Sequence, residues 1–206
     1  MKVLYKDFPE RLKNIPDPPK QLYIIGSDRT LLYTDKIMAV VGTRKMTSYG
    51  EKMTAKLAKG LVEAGYVIVS GMALGIDAVA HWTAINNGGK TIAVLGAGAD
   101  VIYPPENRGL YFKILATGGA IVSEIPLGQR VEKNMFAARN RIISGLAQGV
   151  VIIEGEIRSG SLITARLALD QGRDVFAVPG SLGTDYLIDQ GAKAVICVDD
   201  ILCEWI

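Results

Sequence analysis

The sequence predicts an α/β fold: a doubly wound, mostly parallel sheet with helices on both faces. Three observations predict it. Short β-branched apolar runs recur six times, each followed by a turn of glycine or small residues and then by a segment of helical pattern. The runs are apolar throughout rather than alternating, as strands covered on both faces are. Several helical segments stop just before a glycine (Gly65, Gly88, Gly118, Gly172), where a left-handed residue commonly ends a helix.

Taken in order, residues 1–34 stand apart. Pro9, Pro16, Pro18 and Pro19 punctuate them, and Gln21–Ile25 and Leu31–Tyr33 are expected to pair as short strands around Gly26-Ser27-Asp28. This N-terminal extension is expected to pack on an edge of the core, leaving residues 35–206 as the main domain. The strands of that domain are Ile37–Val41, Val67–Val69, Thr91–Leu95, Ala120–Val122, Val150–Ile153 and Val175–Val178, with Ala194–Val198 closing the sheet. The helices are Ser48–Ala64, Ile76–Asn86, Gly109–Thr117, Ala138–Ala147, Leu162–Gln171 and Tyr186–Gln190. The first carries Met53, Leu57, Leu61 and Ala64 at helical spacing.

With 206 residues, 49% apolar and 21% charged, the chain can bury a full core as one large domain. No run approaches the roughly 20 apolar residues that span a bilayer. The start, Met1-Lys2-Val3-Leu4-Tyr5-Lys6-Asp7, is broken by charge too early for a signal peptide. Cys197 and Cys203, with one histidine in the chain, form no metal pattern and read as reduced thiols of a cytoplasmic protein. A net charge of +2 argues against coating duplex DNA by charge alone and leaves room for a local basic patch.

In open parallel sheets, ligands bind outside the carboxyl ends of the strands, so the turns there carry the functional signal. No P-loop occurs. Gly96-Ala97-Gly98-Ala99-Asp100-Val101 starts a dinucleotide fingerprint but ends it in valine, and the acidic ribose partner is missing. No cofactor is therefore expected. Gly42-Thr43-Arg44-Lys45 joins a strand to a helix capped by Thr47 or Ser48. Backbone N–H groups there attract phosphate, and Arg44 adds a bidentate fork; the alternative is an arginine solvated at a loop tip. Asp77 caps or complements the next helix. His81, one turn on, has no nucleophile placed with it and reads as a hydrogen-bonding partner.

The densest basic feature is Arg130, Lys133, Arg139 and Arg141 against Glu132. Phe136 stands before Ala137-Ala138-Arg139-Asn140-Arg141. An aromatic among cations holds single-stranded nucleic acid by stacking a base while the cations follow phosphates; otherwise Phe136 is core and the arginines bridge helix to sheet. Arg139 and Arg141, two apart, cannot face the same way, so one of them is structural. Ser159-Gly160-Ser161 opens a helix as a second anion cup or an ordinary cap. Glu154 can hold Arg158 or a hydroxyl in place.

Together these segments resemble the DNA-processing protein A (DprA, or Smf) family. The matches include Val41–Arg44, Ser70–Asp77 with Ala80-His81, Ile102-Tyr103-Pro104, Ser123-Glu124, Arg139–Leu146, Ser159–Thr164, Val175–Gly180 and Gly191-Ala192, in family order from about Pro18 to Val198. The resemblance implies an extended Rossmann-like domain that binds and protects incoming single-stranded DNA and loads the RecA recombinase in natural transformation. It also implies a homodimer formed through the C-terminal part, expected here at Asp185–Val198. It suggests that Arg44 and Lys133 contact phosphate and that Phe136 lies in the DNA pocket. The expected DNA-binding set is Arg44, Lys45, Lys133, Phe136, Arg139, Asn140, Arg141, Ser159, Gly160 and Ser161, with no catalytic residue and no metal. Ala137 stands where the family has proline, which is expected to loosen that loop. Helical N-terminal and winged-helix C-terminal domains, carried by many members, are not expected. The alternatives are a phosphoribohydrolase-like enzyme and a nucleotide sensor on the same scaffold. For the enzyme, Pro179–Leu187 resembles a degenerate Pro-Gly-Gly-x-Gly-Thr-x-x-Glu loop, with Leu187 in place of the carboxylate.

Overall fold

The computed structural model describes residues 2–5, 8–28, 30–130 and 132–205. Nine strands form one sheet: β1 (Lys2–Tyr5), β2 (Leu22–Gly26), β3 (Ile37–Val41), β4 (Val67–Ser70), β5 (Thr91–Val94), β6 (Ala120–Ser123), β7 (Gly149–Ile152), β8 (Asp174–Ala177) and β9 (Lys193–Ala194). Their spatial order is β1-β2-β6-β5-β4-β3-β7-β8-β9. Strands β3 to β9 run parallel to their neighbours, whereas β1 and β2 are antiparallel additions, β2 pairing with β6. Every residue of β3 to β7 is buried, as their continuous apolar character requires.

The helices are α1 (Glu10–Lys13), α2 (Ser48–Glu63), α3 (Ile76–Asn86), α4 (Arg108–Ala116), α5 (Lys133–Leu146), α6 (Gly160–Asp170), α7 (Leu182–Asp189) and α8 (Asp199–Leu202). One face of the sheet packs Leu12, Ile142, Ile143, Leu146, Ala165 and Leu187, from α1, α5, α6 and α7. The other takes Met53, Leu57 and Leu61 of α2, Ala80 and Ala84 of α3 and Ile201 of α8. Leu110, Tyr111 and Ile114 of α4 extend that layer. The extended Rossmann-like architecture expected from the sequence is therefore present.

Three local expectations are corrected. Leu31–Tyr33 is not a strand: Thr30–Tyr33 forms a 3₁₀ turn that buries both Leu31 and Leu32. Adjacent residues of a strand point to opposite faces, so a strand would bury only one of that pair against a single layer. The last strand shrinks to Lys193–Ala194, because Asp200 Oδ2 accepts from the N–H groups of Ile196 (2.8 Å) and Cys197 (3.0 Å). Helix α7 begins at Leu182 rather than Tyr186, since Ser181 and Thr184 form a reciprocal capping box.

Candidate nucleic-acid interface

From β3 the chain winds through β4, β5 and β6 to one side of the sheet, then returns to lay β7 against the other side of β3. The point between β3 and β7 is the topological switch, where the loops leaving two strands diverge and open a crevice. A cleft of about 500 Å³ lies there, between the β3–α2 loop, α5 and the start of α6.

The β3–α2 loop is held from both sides. Thr43 N–H donates to Glu154 O (2.8 Å), and Ile76 N–H donates to Thr43 O (3.2 Å). Gly75, at φ +76°, sits so close that a Cβ there would lie 2.4 Å from Thr43 O. Thr47 is the cap of α2, its hydroxyl accepting from Gly50 N–H at 3.1 Å. Glu154 Oε2 accepts from the Thr47 N–H (3.0 Å) and hydroxyl (3.2 Å), so of its two expected partners it holds a hydroxyl. Pinned in this way, the loop presents Arg44 and Lys45 as exposed cations on the cleft.

Helix α5 starts at Lys133, ahead of the expected Ala138. The expectation that Ala137 loosens a loop is overturned. Alanine keeps the N–H that proline would remove from a helix interior, and the segment is helical. Phe136, Arg139, Asn140 and Ile143 consequently share one face, at i, i+3, i+4 and i+7, and all four line the cleft. Lys133 opens the helix, but its side chain lies outside the described residues.

Both arginines of the Arg-Asn-Arg run are buried, at 8% and 9% exposure, yet they go to different places. Arg139 forms part of the cleft floor. Its Nη1 donates to Gly71 O (2.7 Å) and to Val94 O, and its Nε donates to Asn140 Oδ1 (3.1 Å). A Cβ at position 71 would meet the guanidinium at 2.3 Å, so any larger residue there would displace Arg139. Arg141 points away from the cleft. Its Nε donates to Asp17 Oδ2 and its Nη2 to Glu124 Oε1, both at 2.8 Å, tying α5 to the N-terminal segment and the end of β6. The expectation that places Arg141 in the binding set is not matched by its position; both arginines tie α5 to other elements, and of the two it is Arg139 that borders the cleft. Asn140 Nδ2 donates to Gly160 O (3.2 Å), fastening α5 to the first turn of α6, where Ser159, Gly160 and Ser161 border the cleft.

The Phe136 ring is half-buried, resting on Gly96. The Arg44 guanidinium lies over it at 5.2 Å, and Tyr103 stands 5.6 Å away at a tilt of 42°. Beyond this cluster opens a second lobe of about 180 Å³, walled by Leu74, Tyr103, Pro104 and Pro105, with Glu106 also lining it. Sequence reasoning passed over Tyr103 as a site residue. The available signal was an aromatic among prolines in the turn region after a parallel strand.

The floor is electrostatically tense. Buried Asp77 accepts from Gly71 N–H (3.1 Å) and Ala73 N–H (3.4 Å), closing that turn. Burial pushes its carboxyl up, and the Arg139 charge opposes the shift. Burial pulls the Arg139 guanidinium down to about 10, with Asp77 opposing. His81 is bonded to Thr91 (Nδ1 to Oγ1, 2.6 Å). The Thr91 hydroxyl donates to Ile68 O, so Nδ1 carries the proton, and buried Nε2 has no partner among the described residues. Burial, then Arg139, lowers His81 to about 3 and holds it neutral.

In the Pro179–Leu187 loop, Leu187 is core, and Asp185 Oδ1 accepts from Gly180 N–H at 2.9 Å. Among the described residues, no three His, Cys, Asp or Glu side chains group to hold a metal, and no helix is long and apolar enough to cross a membrane.

An extended Rossmann-like sheet with a basic, aromatic-bearing cleft at its switch point defines the class. Within it, the chain belongs to the family described as DNA recombination-mediator protein A, which it matches over residues 2–205. It is 46% identical to DNA processing protein DprA of Bacillus subtilis, covering 97% of this chain and 68% of that protein. It is 43% identical to protein Smf of Escherichia coli, covering 95% and 53%. Relative to these proteins it spans between about half and two thirds of their length. The X-ray structure of DprA from Streptococcus pneumoniae superposes with a TM-score of 0.93 at 43% identity, covering 100% of this chain and 75% of that one. DNA processing protein A from Helicobacter pylori, whose structure addresses its single-stranded DNA binding mode, gives 0.89 at 34% identity, covering 98% and 94%. A molybdenum cofactor binding protein from Rippkaea orientalis shares the fold alone, at 18% identity and a TM-score of 0.61.

Proposed function

We propose that the switch-point cleft binds single-stranded DNA, and that the protein is a recombination mediator that shields incoming strands and passes them to a RecA-type recombinase. The observation that carries this reading is a half-buried ring, Phe136, flanked by exposed Arg44 and Lys45 and facing the hydroxyl-rich first turn of α6. A base stacks on an aromatic face while phosphates follow the cations. The cleft is too narrow a basic feature, on a chain of net charge +2, to favour a duplex by charge alone. The family membership and the single-stranded DNA binding of the H. pylori relative support the same reading.

The protein acts without catalysis of its own and pairs as a homodimer through its C-terminal edge. There β9 is two residues long, and Leu182 and Ile196 are 67% and 57% exposed. Apolar groups beside a short open edge favour pairing with a second copy. The test is a salt-titrated comparison of single-stranded and duplex DNA. Preference for single strands is expected, with log affinity falling by about 0.7 per phosphate neutralised for each tenfold rise in salt. Equal affinity for both forms at matched salt would overturn the reading. RecA nucleation on DNA bound by the protein tests the second step.

A further inference from the structure

We propose that the second lobe of the cleft is a separate stacking subsite for a neighbouring base of the bound strand, with Tyr103 as its platform. This rests on the reading of the cleft as a single-stranded DNA site.

The two lobes adjoin, since Arg44, Phe136 and Arg139 line both. Their chemistry differs. The larger lobe carries exposed Lys45 and the first turn of α6, groups that suit phosphate. The smaller adds no further cation; Leu74, Pro104 and Pro105 make it apolar, and the Glu106 carboxylate repels phosphate. A neutral, flat, partly polar group suits such a space, and a nucleobase offers an apolar face with N–H groups for a carboxylate at its edge. The Tyr103 ring is 40% exposed beside the cavity. Its 42° tilt from Phe136 at 5.6 Å means that the two rings are not stacked face to face, and the Arg44 guanidinium lies over Phe136, so the exposed Tyr103 ring is a platform distinct from the Phe136–Arg44 pair. Paired platforms of this kind hold a strand without reading its sequence, because every base has a π-face.

The experiment is photocrosslinking of the protein to short single strands bearing 5-iodouracil at successive positions, with adducts mapped to residues, alongside affinities of Tyr103→Ala and Tyr103→Phe. The expected result is adducts on both Tyr103 and Phe136 from different iodouracil positions. Tyr103→Ala should lose roughly five- to 150-fold in affinity, the span of about 1–3 kcal/mol per stacked base, with an unchanged salt slope; Tyr103→Phe should restore it. Adducts on Phe136 alone, with parental affinity in Tyr103→Ala, would overturn the subsite and leave the DNA reading standing. Absence of single-strand binding by the parent protein would overturn both. The crosslinking arm needs no substitution, so it decides the matter even where Tyr103→Ala fails to fold.

Discussion

The β3–α2 loop and helix α5 both bring arginine to the cleft, and they use it in opposite ways. Arg44 is exposed, lies over the ring of Phe136 and borders the cleft, where a ligand can reach it. Arg139 is buried and gives its donors to Gly71 O, Val94 O and Asn140, joining α5 to the ends of β4 and β5. The difference teaches that basic residues at a binding site are not interchangeable. A solvated guanidinium gains by releasing counterions, whereas a buried one must keep its internal partners to offset lost hydration.

The sharpest way to break this comparison is Arg139→Leu. It leaves two carbonyls and the Asp77 carboxylate without their cation, and loss of about 3–5 kcal/mol of stability is expected by denaturant unfolding. A folded Arg139→Leu protein of parental stability with weakened DNA binding would make Arg139 a contact residue instead.

Acid should act on the same buried floor. His81 is neutral in the fold at about 3, against an ordinary value near 6.5, so between those limits the unfolded chain binds a proton that the folded one does not. Its contribution is whole above about pH 6.5 and is lost as pH falls toward about 3. The raised Asp77 carboxyl works with the opposite sign. The comparison is therefore between the parent and His81→Gln, whose unfolding free energy should fall less steeply over that window. Parallel slopes would count against a buried neutral histidine.

Phe136→Ala is expected to lower single-strand affinity by about 1–3 kcal/mol while leaving the salt slope and the unfolding midpoint close to the parent's. A collapse of stability would instead assign the ring to the core.

A smaller effect is expected at Arg141, which bonds Asp17 and Glu124. Arg141→Ala removes bonds to Asp17 and Glu124 and should cost about 1–2 kcal/mol of stability with no change in DNA affinity.

Arg44→Ala is the mildest case. Stability should stay within about 0.5 kcal/mol, while the single-strand salt slope flattens by about 0.7, the share of one phosphate. An unchanged slope would place the phosphates elsewhere.

Much of this was legible in the residues. Continuous apolar runs such as Ile37–Val41 and Val150–Ile153 can be satisfied only with layers on both sides, so the parallel sheet and its helices follow from local pattern. The strand-end turns likewise pointed to Arg44 and Ser159–Ser161 as neighbours, because a parallel sheet delivers such turns to one end, and the aromatic within the basic run pointed to Phe136. Other features depended on partners distant in sequence. Arg139 and Arg141 carry the same side chain two positions apart, and nothing local distinguishes them. Residues 71 and 94 take one, while Asp17 and Glu124 take the other. Tyr103 gains meaning only when the β5–α4 connection lies beside α5. Leu31–Tyr33 has strand-like composition, yet the ladder positions beside β2 are taken by β1 and β6. Hydrophobic periodicity is a property of consecutive residues and determined the layers; which charge is buried, and which ring borders the cleft, is a property of the packed whole and was decided by tertiary structure alone.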